Sequence, residues 1–316
     1  MLTLVVWCLW YTYTAPNSIL IINENWPVTL TMVFGSFIAG ATSEGGGAIA
    51  FPVFTKVLHI SPLDAKVFSL AIQSIGMTAA TLTIVVMRVP VEWRVVFWAT
   101  FGGLFGVIAG SALIAPFLPA DLLKMVFTAM IVSFAITLTL LNWKQRYYNS
   151  RLPNIKWQGK LVIVMTGFFG GIMTGLVGSG IDIICFSVMV LLFRLSEKVA
   201  TPTSVILMAF NAVIGFVLHL YFIGGFTSQV ESYWLAAIPV VVVGAPVGAY
   251  FCTRLNNKTI AIILISLILI ELISSLTLIP LTEKIVSISL PVFMLFSFIY
   301  YRMSGVTRYL PNRKEC

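Results

Sequence analysis

The sequence predicts an all-α polytopic membrane protein made of two inverted repeats. Each repeat is a broken or re-entrant helical hairpin plus three transmembrane helices, and one extra helix is added at each end. Three observations lead there: the hydropathy, the one-sided placement of the basic residues, and a sparse internal repeat.

Of 316 residues, 59% are hydrophobic and only 9% charged, with a mean hydropathy of +1.02. That balance lies outside ordinary soluble domains. A spanning helix needs about 20 mostly apolar residues to cross a hydrocarbon core about 30 Å thick. Apolar runs between polar punctuation predict helices near 1–22, 28–43, 45–58, 64–87, 94–115, 121–141, 160–178, 180–193, 199–222, 233–253, 258–280 and 285–301. The pairs 28–43 with 45–58 and 160–178 with 180–193 are short or glycine-flanked, and predict the two hairpins. The opening segment lacks a basic n-region and a cleavage signal, so it reads as a first transmembrane helix and not a signal peptide.

The net charge of +8 does not indicate nucleic acid, because the basic residues punctuate apolar runs and form no soluble face. If each hairpin leaves by the face it enters, segments 88–94, 142–160, 194–198, 254–258 and 302–316 share one side and hold 15 of the 19 lysines and arginines. Only Lys56, Lys66, Lys124 and Lys284 fall opposite. This asymmetry predicts a multi-pass protein of the plasma (inner) membrane with both termini cytoplasmic and loops near 23–26 and 224–232 outside. The divisions that follow are an extra helix in 1–27, a first repeat in 28–141, a basic cytoplasmic linker in 142–159, a second repeat in 160–280, and an extra helix with a basic tail in 281–316.

Cys8, Cys185, Cys252 and Cys316 show no paired spacing, and His59 and His219 are the only histidines, so no disulfide framework, metal centre or cofactor is expected. His219, late in an apolar run, reads as interfacial. The eight tryptophans mostly flank helix ends, as indoles anchoring at the membrane interface do.

A shift of 135 residues aligns Gly40 with Gly175, Gly45 with Gly180, Phe51 with Phe186, Ser61 with Ser196, Ala65 with Ala200 and Ser69 with Ser204. With three residues more, Gly106 and Gly110 align with Gly244 and Gly248, which read as close helix packing. Under the predicted topology the two hairpins enter from opposite faces. Inverted repeats place a substrate site near the midplane, where broken helices expose backbone groups.

The stretch Gly40-Ala-Thr-Ser-Glu-Gly-Gly-Gly-Ala-Ile-Ala-Phe-Pro52, with Ser61-Pro-Leu-Asp-Ala65 and Ser69, resembles the first-half signature of the TauE/SafE sulfite exporter family. Gly175-Leu-Val-Gly-Ser-Gly180 with Ala200-Thr-Pro-Thr-Ser204 is similar to its second-half counterpart, and the resemblance covers about residues 28–280. The chain departs from the family pattern at Ile181-Asp182, where glycines are usual, and at Ser187, where proline is usual. The resemblance implies transport of sulfur-containing or other organic anions, such as sulfite, thiosulfate or a sulfonate, by export as often as uptake.

Helix N-termini at Gly45, Gly46 and Gly47 and at Gly178, Ser179 and Gly180 have unpaired N–H groups that suit an anion. The alternative is a packing kink. Ser69, Gln73 and Ser74 in the first half and Thr201, Thr203, Ser204 and Asn211 in the second can replace a ligand's hydration shell, or simply bond neighbouring backbone carbonyls. Glu44, Asp182 and Glu271 lie in apolar runs, where each needs a partner, a proton or a function. Glu44 and Asp182, in the hairpin turns, are the candidates for coupling transport to H+ or Na+, against the alternative of buried acids paired with a hydroxyl or amide. The same carboxylates leave cation transport or a channel open. An intramembrane aspartyl protease needs a second facing aspartate, and Asp64 and Asp121 sit at helix ends. The expected class is therefore a transporter and not an enzyme. Its partners are a small anion, H+ or Na+ and lipid, with a homodimer left open.

Overall fold

The computed structural model describes residues 2–45, 53–142, 148–152 and 156–306, and these are helical almost throughout. Helices α1 (Leu2–Thr14), α2 (Ser18–Glu24) and α3 (Trp26–Ala41) come first, and a π turn at Val53–Val57 precedes α4 (Pro62–Val86). Helix α5 (Trp93–Ile108) runs on through a π turn (Ala109–Ile114) and a 3-10 turn (Ala115–Phe117), and α6 (Ala120–Asn142) ends the first half. The second half contains α7 (Trp157–Val177), α8 (Ile181–Leu191), α9 (Glu197–Leu218, extended by a π turn at His219–Ile223), α10 (Ser228–Arg254) and α11 (Asn257–Leu278). Helix α12 (Glu283–Ser304) follows. Eight of these helices, α4 to α7 and α9 to α12, are long and apolar enough to cross a membrane. The fold class is thus all-helical and membrane-spanning.

Two expectations about elements change. The single helix expected over 1–22 is α1 and α2, bent by 93° where Pro16, which has no N–H to give, interrupts the ladder. The first arm of the second hairpin, expected to be short, is the 21-residue α7, long enough to span.

Local chemistry sets the helix starts. Ser61 Oγ accepts the Asp64 N–H at 3.1 Å while Pro62 occupies the first turn, so α4 begins there. Thr227, Asn256 and Thr282 cap α10, α11 and α12 in the same way. Pro239 leaves the Leu235 carbonyl of α10 without its helical donor, and the Trp10 indole N–H takes that place at 2.7 Å. Trp7 donates to Pro239 O and Trp234 to Ala71 O, so these three indoles tie helices together, not only anchor at an interface.

The most extensive pairings set α7 against α5 and α10 against α3, with α4 between α9 and α10. Glycine makes the approach possible. A Cβ built on Gly110 would strike Ile172 O, and one on Gly248 would strike Phe37 O. The two contacts are 138 residues apart on one side and 135 on the other, the offsets of the internal repeat. Gly106 and Gly244 meet Phe168 O and Ser36 Oγ likewise, so all four glycines serve close packing. Gly248→Leu is expected to lower stability by about 2 kcal/mol or more, since overpacking against backbone cannot be relieved by a rotamer change. Thermal unfolding in detergent measures it; an unchanged midpoint would contradict the close approach.

Candidate functional site

The second hairpin breaks inside the bundle. Helix α7 ends at Val177 and Gly178 closes it with φ +94°, a left-handed conformation that glycine adopts without a Cβ penalty. Gly180, with φ +148°, then starts α8. Breaking a helix here leaves carbonyls on one side and N–H groups on the other without helical partners.

Helix α4 supplies the donors. Lys66, Ser69 and Gln73 stand at i, i+3 and i+7, on one face. Ser69 Oγ and Gln73 Nε2 donate to Gly178 O at 3.2 and 3.1 Å, and Gln73 Nε2 also reaches Ser69 Oγ at 2.6 Å. Lys66 Nζ donates to Gly175 O at 3.4 Å, joined there by Ser111 Oγ at 3.2 Å. A lysine at a helix C-terminus also meets the negative end of its dipole.

The N–H groups are satisfied from within the chain. Asp182 Oδ1 accepts the Gly180 and Ile183 N–H at 3.1 and 3.0 Å, and Thr174 Oγ1 accepts that of Ile181 at 3.0 Å. The carboxylate of Asp182 therefore occupies the N-terminus of α8 where an external anion was expected. Its Oδ2 is buried and has no hydrogen-bond partner.

Glu44 and Gly45, at the start of the first predicted hairpin turn, lie close to this break. A Cβ placed on Gly45, whose φ is +74°, would lie 3.2 Å from Asp182 Oδ2 and 3.7 Å from Gln73 Oε1. Next to it Glu44 is buried, both carboxylate oxygens lack a hydrogen-bond partner, and its charged neighbours are Glu271, Lys124 and Asp182. Gly46 and Gly47 lie outside the described residues.

Lys124 changes the character of the site. The basic-residue count places Lys66 and Lys124, at the starts of predicted helices, on the side opposite the basic one, and both prove buried, Lys124 being 4% exposed. It forms an ion pair with Glu271 of α11, also buried. Glu44 thus has Glu271, Asp182 and Lys124 as charged neighbours, and full ionisation would leave two negative charges uncompensated among these four groups.

Beside this cluster lies a cavity of about 40 Å³, walled by Ser36, Ser69, Gln73, Lys124 and Ser179 together with apolar side chains of α3, α4 and α10. That is room for a few small ligand atoms or ordered waters, the scale of a small oxyanion. The remaining candidates stand elsewhere. Ser74, Thr203 and Ser204 bond the carbonyls of Ala71, Val199 and Thr201, and Thr203 also accepts the Glu92 N–H. Asn211 donates to Leu207 O and turns its Oδ1 toward Gly103, away from the cavity walls. His219, expected at the interface, is buried.

The family model described as sulfite exporter TauE/SafE matches residues 28–274, from α3 to within α11. The chain belongs to the sulfite exporter TauE/SafE family. Comparison with curated proteins and with solved structures gives no match. Membership makes the chain a membrane transporter of a family that handles a small anion, and the TauE/SafE match covers every residue lining the central cavity.

Proposed function

We propose that the chain is a secondary transporter of a small sulfur-containing or organic anion, such as sulfite, thiosulfate or a sulfonate. It works by alternating access around the central cavity, and exchange of H+ or a cation at Glu44 and Asp182 couples the movement. The observation that carries this reading is a buried ammonium, Lys124, in the wall of a small, mostly apolar cavity beside the break between α7 and α8. A charged donor in low dielectric holds an anion strongly.

Glu271 is then the resting counter-ion. An arriving anion takes over Lys124, and a proton or cation taken up by the carboxylates offsets the released charge. Repeats of opposite orientation, with the Arg88, Arg194 and Arg254 turns cytoplasmic in the plasma membrane, let the two halves rock about this point. Carriers of this kind can assemble as homodimers.

A second reading has its own support. The unpartnered oxygens of Glu44 and Asp182 suit a cation as ligand.

Proteoliposomes loaded with sulfite, thiosulfate or methanesulfonate test both readings. The expected result is saturable flux of one of these anions that is accelerated by the same anion on the far side. Saturable flux of Na+ alone favours the cation reading, and large single-channel currents without counterflow would end the carrier reading.

A further inference from the structure

At the end of the bundle opposite the Arg88 and Arg194 turns lies a second cavity, of about 420 Å³. The first turn of α4, the turns after α5, the start of α6 and the Gly224–Gly225 end of α9 enclose it. Its rim is apolar and exposed at Leu63, Leu118 and Ile223. Its floor holds Lys66, Ser111 and His219, which are 7%, 2% and 1% exposed, and among the described residues no carboxylate lines it.

The floor chemistry is specific. Lys66 spends one N–H of three on Gly175 O. The His219 Nδ1 lies 2.9 Å from Gly224 O, and a carbonyl only accepts, so Nδ1 carries the hydrogen. The opposite edge, Nε2, is then a lone pair when the ring is neutral, and it is buried without a partner. Lys66, from α4, is the charged group acting on the ring; Asp121 of α6 stands exposed beside the lining residue Ala120.

We propose that this cavity is a docking site for a small sulfur oxyanion, held by Lys66 Nζ, which binds together with a proton on His219 Nε2. A bare lone pair repels an oxyanion oxygen, whereas an N–H donates to it. The anion in turn offsets the repulsion between Lys66 and a protonated ring, so each ligand favours the other. Leu176 lines this cavity and Val177 the central one, so the last turn of α7, fastened by Lys66, Ser69 and Gln73, separates the two. The ligand class rests on the anion-transport reading; the site itself does not.

The test is calorimetric titration of methanesulfonate, whose charge does not change near neutrality, into detergent-purified protein carrying Lys124→Met with Glu271→Gln, in which the central cavity has lost its ammonium and no buried charge is left unpaired by its loss. Binding is expected to persist and to be about tenfold tighter at about pH 6 than at about pH 8, across the imidazole range. Adding Lys66→Met is expected to weaken it by about tenfold or more, as loss of a charge-assisted bond does. Adding His219→Gln should remove the pH step, and the unfolding midpoint of each variant verifies its fold. No binding to the Lys124→Met, Glu271→Gln protein, or binding indifferent to both Lys66 and His219, would overturn the proposal. Binding with this pattern but no anion flux in proteoliposomes upholds the docking site and sinks the transport reading instead.

Discussion

Replacing Lys124 with methionine is expected to lower anion flux by about ten- to a hundredfold, the size of a lost charged hydrogen bond of about 1.5–3 kcal/mol. It also strips Glu271 of its ion-pair partner. Breaking a buried pair from one side costs about 3–5 kcal/mol, because the remaining charge is left uncompensated. A fall in flux from the single variant is therefore ambiguous between a lost ligand and a damaged fold. Lys124→Met combined with Glu271→Gln separates them, since removing both charges of a buried pair is close to neutral. The double variant is expected to recover the wild-type unfolding midpoint in detergent while flux stays low. Recovery of both would mean that Lys124 only neutralises Glu271, and the anion would then need another cation.

Lys124 also marks where sequence reading stops. One lysine at the start of an apolar helix looks the same whether it snorkels to water or turns inward. Its partner Glu271 is 147 residues away, and nothing in the order of residues pairs them. The spanning helices were legible because lipid demands long apolar runs, and the break after α7 because Gly178-Ser-Gly180 puts two glycines and a hydroxyl together in such a run, whereas single glycines such as Gly106 and Gly244 stay within helices. Gly178 and Gly45 both proved to hold left-handed conformations. The polar residues of α4 were legible as a group but not one by one. Lys66, Ser69 and Gln73 face the broken end of α7, whereas Ser74, one position round the helix, returns to its own backbone. That division follows from helix phase, which has meaning only once the neighbour is known. The dockings of Trp10 on Leu235 O and of His219 on Gly224 O were hidden for a similar reason. Each residue fills a vacancy in the backbone, and the vacancy is visible only when the partner segment is in place.

Asp182 offers the sharpest separation of coupling from structure. Its Oδ1 caps α8 through Gly180 and Ile183, while Oδ2 faces Gly45 without a hydrogen-bond partner. Asparagine keeps an acceptor at the cap and removes the charge; alanine removes both. Asp182→Ala is expected to lose about 1–3 kcal/mol of stability, because the buried Gly180 and Ile183 N–H groups lose their acceptor, and Asp182→Asn much less. If the carboxylates carry the coupling ion, the double variant Glu44→Gln with Asp182→Asn retains anion exchange, which needs no net ion movement. Its uptake driven by a pH or Na+ gradient is expected to fall by about tenfold or more, as when an interaction of about 1.4 kcal/mol is lost. Gradient-driven uptake unchanged in that variant would leave these acids as a helix cap and a buried filler. The coupling would then pass to Glu271, which is freed whenever an anion takes Lys124, and Glu271→Gln, which keeps Lys124, would be the variant to examine for anion flux without proton uptake.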